Sequence, residues 1–190
     1  MFIEFASVTS ALRGLLRDGL GDDVVLSSRP IDELLSQPAG RNTLNVLLLS
    51  TSPIRHSASL PSLAGGGRIQ RPSPTFELLY LVTALGTEDL MAEALLEHAA
   101  RRFDEFATLT SARGRLCLAA DGASLIGTER ADWVAQDGRL NITPFAADLP
   151  TWLSVWSTLR ASWRLSAMYT VAPVALVPND TTPPVLDHLA

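Results

Sequence analysis

The residue types that most often do chemistry are sparse in this chain and poorly placed for it. There are three histidines, and His56, His98 and His188 fall in three separate stretches, none at metal-ligand spacing from another donor. Cys117 is the single cysteine, which excludes an intramolecular disulfide and a multi-thiolate metal site. Set between leucines in RLCLAAD, it reads as a small buried hydrophobe. The triple glycine Gly65–Gly67 is followed by neither a Lys-Ser/Thr pair nor a helix start, so it reads as loop and not as a phosphate cradle. GASLIG, from Gly122 to Gly127, lacks the spacing of a nucleophile elbow. Asp22 with Asp23, and Asp104 with Glu105, are sequence neighbours that read as solvated surface rather than as acid/base pairs. No catalytic, cofactor-binding or metal-ligating residue is assigned, and the expectation is a protein that is not an enzyme and carries no cofactor.

Composition narrows the class further. The chain has 190 residues, enough for one domain that removes roughly 70% of its unfolded surface from water. Hydrophobic residues make up 47% and charged residues 18%. That excludes a disordered chain, and a charge content below the usual value of roughly 25% points to surface covered by partners. The formal charge is −5, the wrong sign for binding nucleic acid through a cationic surface. All 15 basic residues are arginine. A G+C-rich coding sequence accounts for that; the alternative is a preference for the planar, bidentate guanidinium in protein contacts. The N-terminus carries Glu4 and lacks the cationic start and apolar run of a secretory signal. No segment approaches the roughly 20 apolar residues of a membrane span, so the expectation is a cytoplasmic product without membrane insertion.

The elements follow from periodicity. Phe5, Val8, Leu12, Leu15 and Leu16 share one helical face, with Gly19 and Gly21 at its end. Gly14 inside that helix costs about 1 kcal/mol relative to Ala, so the helix depends on packing. A short extended piece, Val24 to Ser28, precedes a helical turn in PIDELLS that begins at Pro30. TLNVLLLST (Thr43 to Thr51) and FELLYLVTAL (Phe76 to Leu85) read as strands covered on both faces. Between them lies a loop of about twenty residues with four prolines, long enough to be functional or disordered.

Thr87 to Phe106 reads as the strongest helix, with Thr87 as N-cap and Ala92, Leu96, Ala99, Phe103 and Phe106 in one stripe, widened by Met91 and Leu95. His98 reads as a boundary residue of that helix. Leu109 to Gly127 shows no clear period. Asp137-Gly138, between WVAQ and RLNIT, is a hairpin cue. DLPTWLSVWSTLRA reads as a helix capped by Asp148, with Leu149, Trp152, Leu153, Trp156 and Leu159 on one face. The last strand is WRLSAMYTVAPVALVP, from Trp163 to Pro178, with Leu165, Ala167, Tyr169 and Val171 on one face and Met168, Val174 and Leu176 partly on the other. Pro173 within it marks an edge or a bulge, a bulge being the preferred reading. The order implies a single α+β domain with a mixed or antiparallel sheet packed by about three helices.

TLNVLLLSTSPIRHSASLPS, FELLYLVTALGTEDLMAEALLEHA, LPTWLSVWSTLR and RLSAMYTVAPVALVP occur in the order and spacing seen in the tail-terminator, or cap, proteins of extracellular contractile injection systems. The chain resembles that family from Phe2 to Pro178, most specifically at Leu79 to Ala84 and at Trp156, Arg164, Leu165, Ser166 and Tyr169. It departs from the family pattern at Leu49-Ser50, at His56 after Arg55, and from Leu109 to Trp133. The resemblance implies a phage tail-terminator-like fold and a hexameric ring that closes the distal end of a sheath and inner tube. Its partners would be copies of itself and the sheath and tube proteins, assembled into the injection particle. Arg55, Arg68 and Arg71 on the long loop, and Pro173, are then candidate partner contacts, solvated arginines being the alternative for the loop. Residues 1–178 would form the cap domain and 179–190 a flexible Pro-rich arm. The alternative function is a soluble accessory binding protein or an enzyme of unknown substrate.

Overall fold

The computed structural model describes residues 4–36, 40–54, 62–64, 68–70, 74–110, 117 and 139–176. The expected arm 179–190 and the Asp137-Gly138 hairpin cue lie outside the described residues. One mixed, six-stranded sheet organises the fold, in the order β1-β2-β5-β8-β7-β6. Its strands are β1 (Val25–Ser27), β2 (Thr43–Ile54), β5 (Thr75–Leu85), β6 (Thr108–Thr110), β7 (Arg139–Pro144) and β8 (Ser166–Ala175). β1 runs parallel to β2 and every other pairing is antiparallel. A separate two-stranded hairpin, β3 (Ser62–Ala64) with β4 (Arg68–Gln70), interrupts the long connection between β2 and β5.

Helices cover both faces of the sheet. On the first face lie α1 (Glu4–Arg17) and α3 (Met91–Glu105), which bury Val8, Leu12, Leu15, Leu16, Leu95 and Phe103 against Leu44, Tyr80, Val82 and Val171. On the second face α2 (Ile31–Ser36) and α4 (Leu149–Thr158) cover a smaller core of Ile31, Leu34, Leu81, Trp156 and Met168. Strands flanked in this way bury side chains on both sides, which is why β2, β5 and β8 read as continuous apolar runs.

Gly14 has a packing cause. α1 passes so close to Cys117 that a Cβ at position 14 would meet the Cys117 carbonyl oxygen at 1.7 Å. Cys117 is buried, as expected of a small hydrophobe. Gly19 closes α1 in the left-handed region at φ 88°, a conformation that glycine adopts without steric penalty.

Four expectations are corrected. Thr87 is not the N-cap of α3: its backbone N–H and its hydroxyl both donate to Asn42 Oδ1 at 3.0 Å. The helix starts instead at Met91, after Leu90 at φ 62° with no side-chain cap. β8 begins at Ser166, with Trp163 and Leu165 exposed before it. Val174 shares the first core with Val171 rather than facing away with Met168. The cause is a register shift opposite Phe76 and Leu78, which places Val171 against Leu78 and Val174 against Phe76 and reverses the alternation of the strand. On α4, Leu149 and Leu153 face solvent, while Trp156 is buried.

A row of small polar side chains crosses the second face, Ser27, Asn45, Thr83 and Ser166, on four adjacent strands in register. Ser166 donates to Thr83 Oγ1 at 2.9 Å and Asn45 Nδ2 to the Arg29 carbonyl at 3.1 Å. A one-residue slip of any of these strands would turn its polar side chain into the apolar first core, so the row helps to fix register.

Candidate partner-binding surfaces

Three surface features stand out, and none has the geometry of a reaction centre. The first is built on α4. Asp148 caps the helix by accepting from the Thr151 backbone N–H at 3.0 Å; hydrogen bonds from Thr151, its side chain foremost, hold that carboxyl below the usual carboxylate range. Pro150 occupies the first turn, where a missing N–H costs nothing. The helix itself, LPTWLSVWST, has no charged residue. The Trp152 and Trp156 rings lie 5.6 and 6.4 Å from the Trp163 ring, tilted against it, and join the helix to the segment that precedes β8. Leu149 and Leu153, one turn apart, remain 64% and 57% exposed; Phe145, Trp163 and Leu165 are exposed as well. The sequence pattern places Leu149 and Leu153 on one face with Trp156, and the helix has no charged residue to mark where that face meets solvent.

The second feature is the outer side of β2. β1 covers only Thr43–Asn45, and Ser50–Pro53 are exposed. The third is an open groove of about 470 Å³ lined by Thr108, Arg139, Asn141 and Pro173, in which Thr108 donates to Asn141 Oδ1 at 3.1 Å. Pro173 follows a cis peptide bond at the bulge of β8, and the described pairing with β7 stops one residue earlier, at Ala172. Both readings of the proline thus meet: a bulge on the β5 side and a ladder end on the β7 side. Of the loop arginines, Arg68 opens β4, paired with Ala64; Arg55 and Arg71 lie outside the described residues.

Several other polar side chains tie the elements together. His98 contacts the Leu16 carbonyl at 3.0 Å through Nε2 and ties α3 to the end of α1. Arg102 reinforces the same junction, donating to the Leu15 carbonyl, Asp18 and Glu105 while lying over the Phe106 ring. Tyr80 is fully buried with its hydroxyl 2.9 Å from Thr9 Oγ1; burial pushes its ionisation well above the ordinary value, the Thr9 bond offsetting only part. Among the described residues no group of three or more His, Cys, Asp or Glu side chains is placed to hold a metal ion, and no helix is long and apolar enough to cross a membrane.

These features define an α+β sheet domain with an uncharged strand edge, open among the described residues, and an apolar helix face directed outward. The chain belongs to the Pvc16 N-terminal domain family, whose profile matches residues 7–187. Its fold is similar to the sheath/tube terminator of a PVC extracellular contractile injection system in the extended state, with a TM-score of 0.61 at 16% identity over 92% of this chain and 57% of that one. It is likewise similar to the tube-terminating cap of the anti-feeding prophage, with a TM-score of 0.58 at 18% identity over 90% of this chain and 55% of that one. The chain therefore spans little more than half the length of either structure. No curated protein sequence matches it significantly.

Proposed function

We propose that this chain is a cap, or tail terminator, of a phage-tail-like contractile injection system. Copies assemble into a hexameric ring on the distal end of the sheath and inner tube and stop their polymerisation. The observation that carries the reading is family membership over residues 7–187, joined to a fold shared with two terminator chains. The surfaces support it, since a ring subunit must present different patches to its two neighbours and further area to sheath and tube. The uncharged α4 face is suited to such burial, and Arg55, Arg68, Arg71 and Pro173 are assigned to partner contacts. The role is structural and calls for no catalytic group or cofactor.

Deletion of the gene is expected to yield particles with ragged or uncontrolled tube length in electron micrographs. Particles of normal, uniform length without this chain would overturn the reading. Mass measurement in the presence of sheath and tube proteins is expected to find a ring, and a monomer alone would count against it.

A further inference from the structure

We propose that neighbouring copies join edge to edge, with the β3–β4 hairpin of one chain adding to the open edge of β2 in the next. The contact rests on the ring reading above and specifies the surface that closes the ring. β2 extends to Ile54, but β1 pairs with its outer side only at Thr43–Asn45. From Val46 to Ile54 that side has no strand partner among the described residues. Such an edge is a row of backbone donors and acceptors, and the partner it fits is another strand.

Free edges are blunted by charge, by proline or by a bulge; β2 has Pro53 and a register shift between Leu48 and Ser50, but no charge. VLLLSTSPI, Val46 to Ile54, contains no ionisable residue. Pro53 lies within the strand, paired with Phe76, where an edge tolerates a missing N–H and a central strand does not. Beside this edge, Leu47 and Leu49 are only partly covered members of the second core, so an added strand would also shield apolar surface.

The hairpin is the complementary unsatisfied feature. β3 and β4 pair with each other over three residues each and form a sheet of their own. An isolated two-stranded ribbon is marginal in water and gains stability from a third strand. Among the described residues of one chain the ribbon and the β2 edge do not pair; between chains one copy supplies the edge and the next supplies the ribbon. That contact is head-to-tail, the type that closes a ring rather than a twofold dimer.

Because Cys117 is the chain's only cysteine and is buried, one engineered cysteine per chain reports the contact. Chains carrying Ser52→Cys are mixed with size-tagged chains carrying Ile69→Cys and mildly oxidised in the presence of sheath and tube proteins. Disulfide pairs joining the two different variants are expected to exceed either like-with-like pair by about tenfold, through the high local concentration of apposed strands. Joint replacement Ser50→Lys and Ser52→Lys is expected to weaken self-association by more than about tenfold, by supplying the missing charge guard, with an unchanged thermal midpoint. An excess of Ser52→Cys pairs with themselves would place β2 against β2 and overturn the proposal. Rings that form equally well with both lysines overturn this contact and leave the ring reading intact. Chains that stay monomeric overturn both.

Discussion

Replacing Gly14 by alanine separates helix propensity from packing. In an isolated helix the change stabilises by about 1 kcal/mol. In the fold, the new Cβ would fall 1.7 Å from the carbonyl oxygen of Cys117 and 2.5 Å from its carbon. Both obstacles are backbone atoms, so no change of rotamer relieves them. α1 has little room to retreat, because Val8, Ala11, Leu12, Leu15 and Leu16 are sealed in the first core. Overpacking costs about 1–3 kcal/mol, and displaced backbone belongs at the upper end. Taking about 3 kcal/mol and subtracting the propensity gain of about 1 leaves a net loss of about 2 kcal/mol. For a chain of this length that lowers Tm by about 4–8 °C. Circular-dichroism melts and urea titrations of the purified variant measure it. A midpoint equal to or above that of the parent chain would refute the close approach of Cys117 to α1.

Further expectations concern single side chains. Tyr80→Phe removes the bond to Thr9 and should cost about 1 kcal/mol at neutral pH by urea titration. Burial raises the Tyr80 ionisation above the ordinary tyrosine value of 10.0, so above that pH the unfolded chain binds fewer protons and stability falls, by up to about 1.4 kcal/mol per pH unit. Tyr169 is shifted the same way by burial, so Tyr80→Phe should reduce the alkaline loss without abolishing it; an identical alkaline profile would contradict the burial of the Tyr80 hydroxyl. Arg102→Lys keeps the charge but loses the fork that joins Leu15, Asp18 and Glu105, and should cost about 1 kcal/mol in chemical denaturation. Leu149→Ser with Leu153→Ser, at exposed positions, should change stability by less than about 0.5 kcal/mol per site while reducing recovery of the chain in purified particles. Full incorporation of that double variant would remove α4 from the partner surface.

The principal elements were legible because their signals are local. α1 and α3 carry their apolar stripes in sequence, and β2 and β5 carry runs that only a sheet covered on both faces explains. Asp148 was readable as a cap because its partner, Thr151, is three residues away. Thr87 was misread because its partner, Asn42, lies 45 residues away, and a cap residue engaged elsewhere leaves the helix to begin later. The loop candidates remain assigned from sequence alone, apart from the place of Arg68 in β4.

The sequence by itself determined an α+β domain, the main strands and helices, and the lack of a recognisable catalytic motif, since each of these rests on composition or on periodicity within a short window. The tertiary structure decided which side chains the elements leave outside. Leu149 and Leu153 belong to the same apolar pattern as Trp156, and only the limited extent of the second core leaves them in solvent. Val174 changes face because β8 shifts register at its bulge. Among the described residues the outer side of β2 is open beyond Asn45, because β1 is three residues long. Burial of a periodic residue depends on the elements packed over it, and no window of sequence contains them.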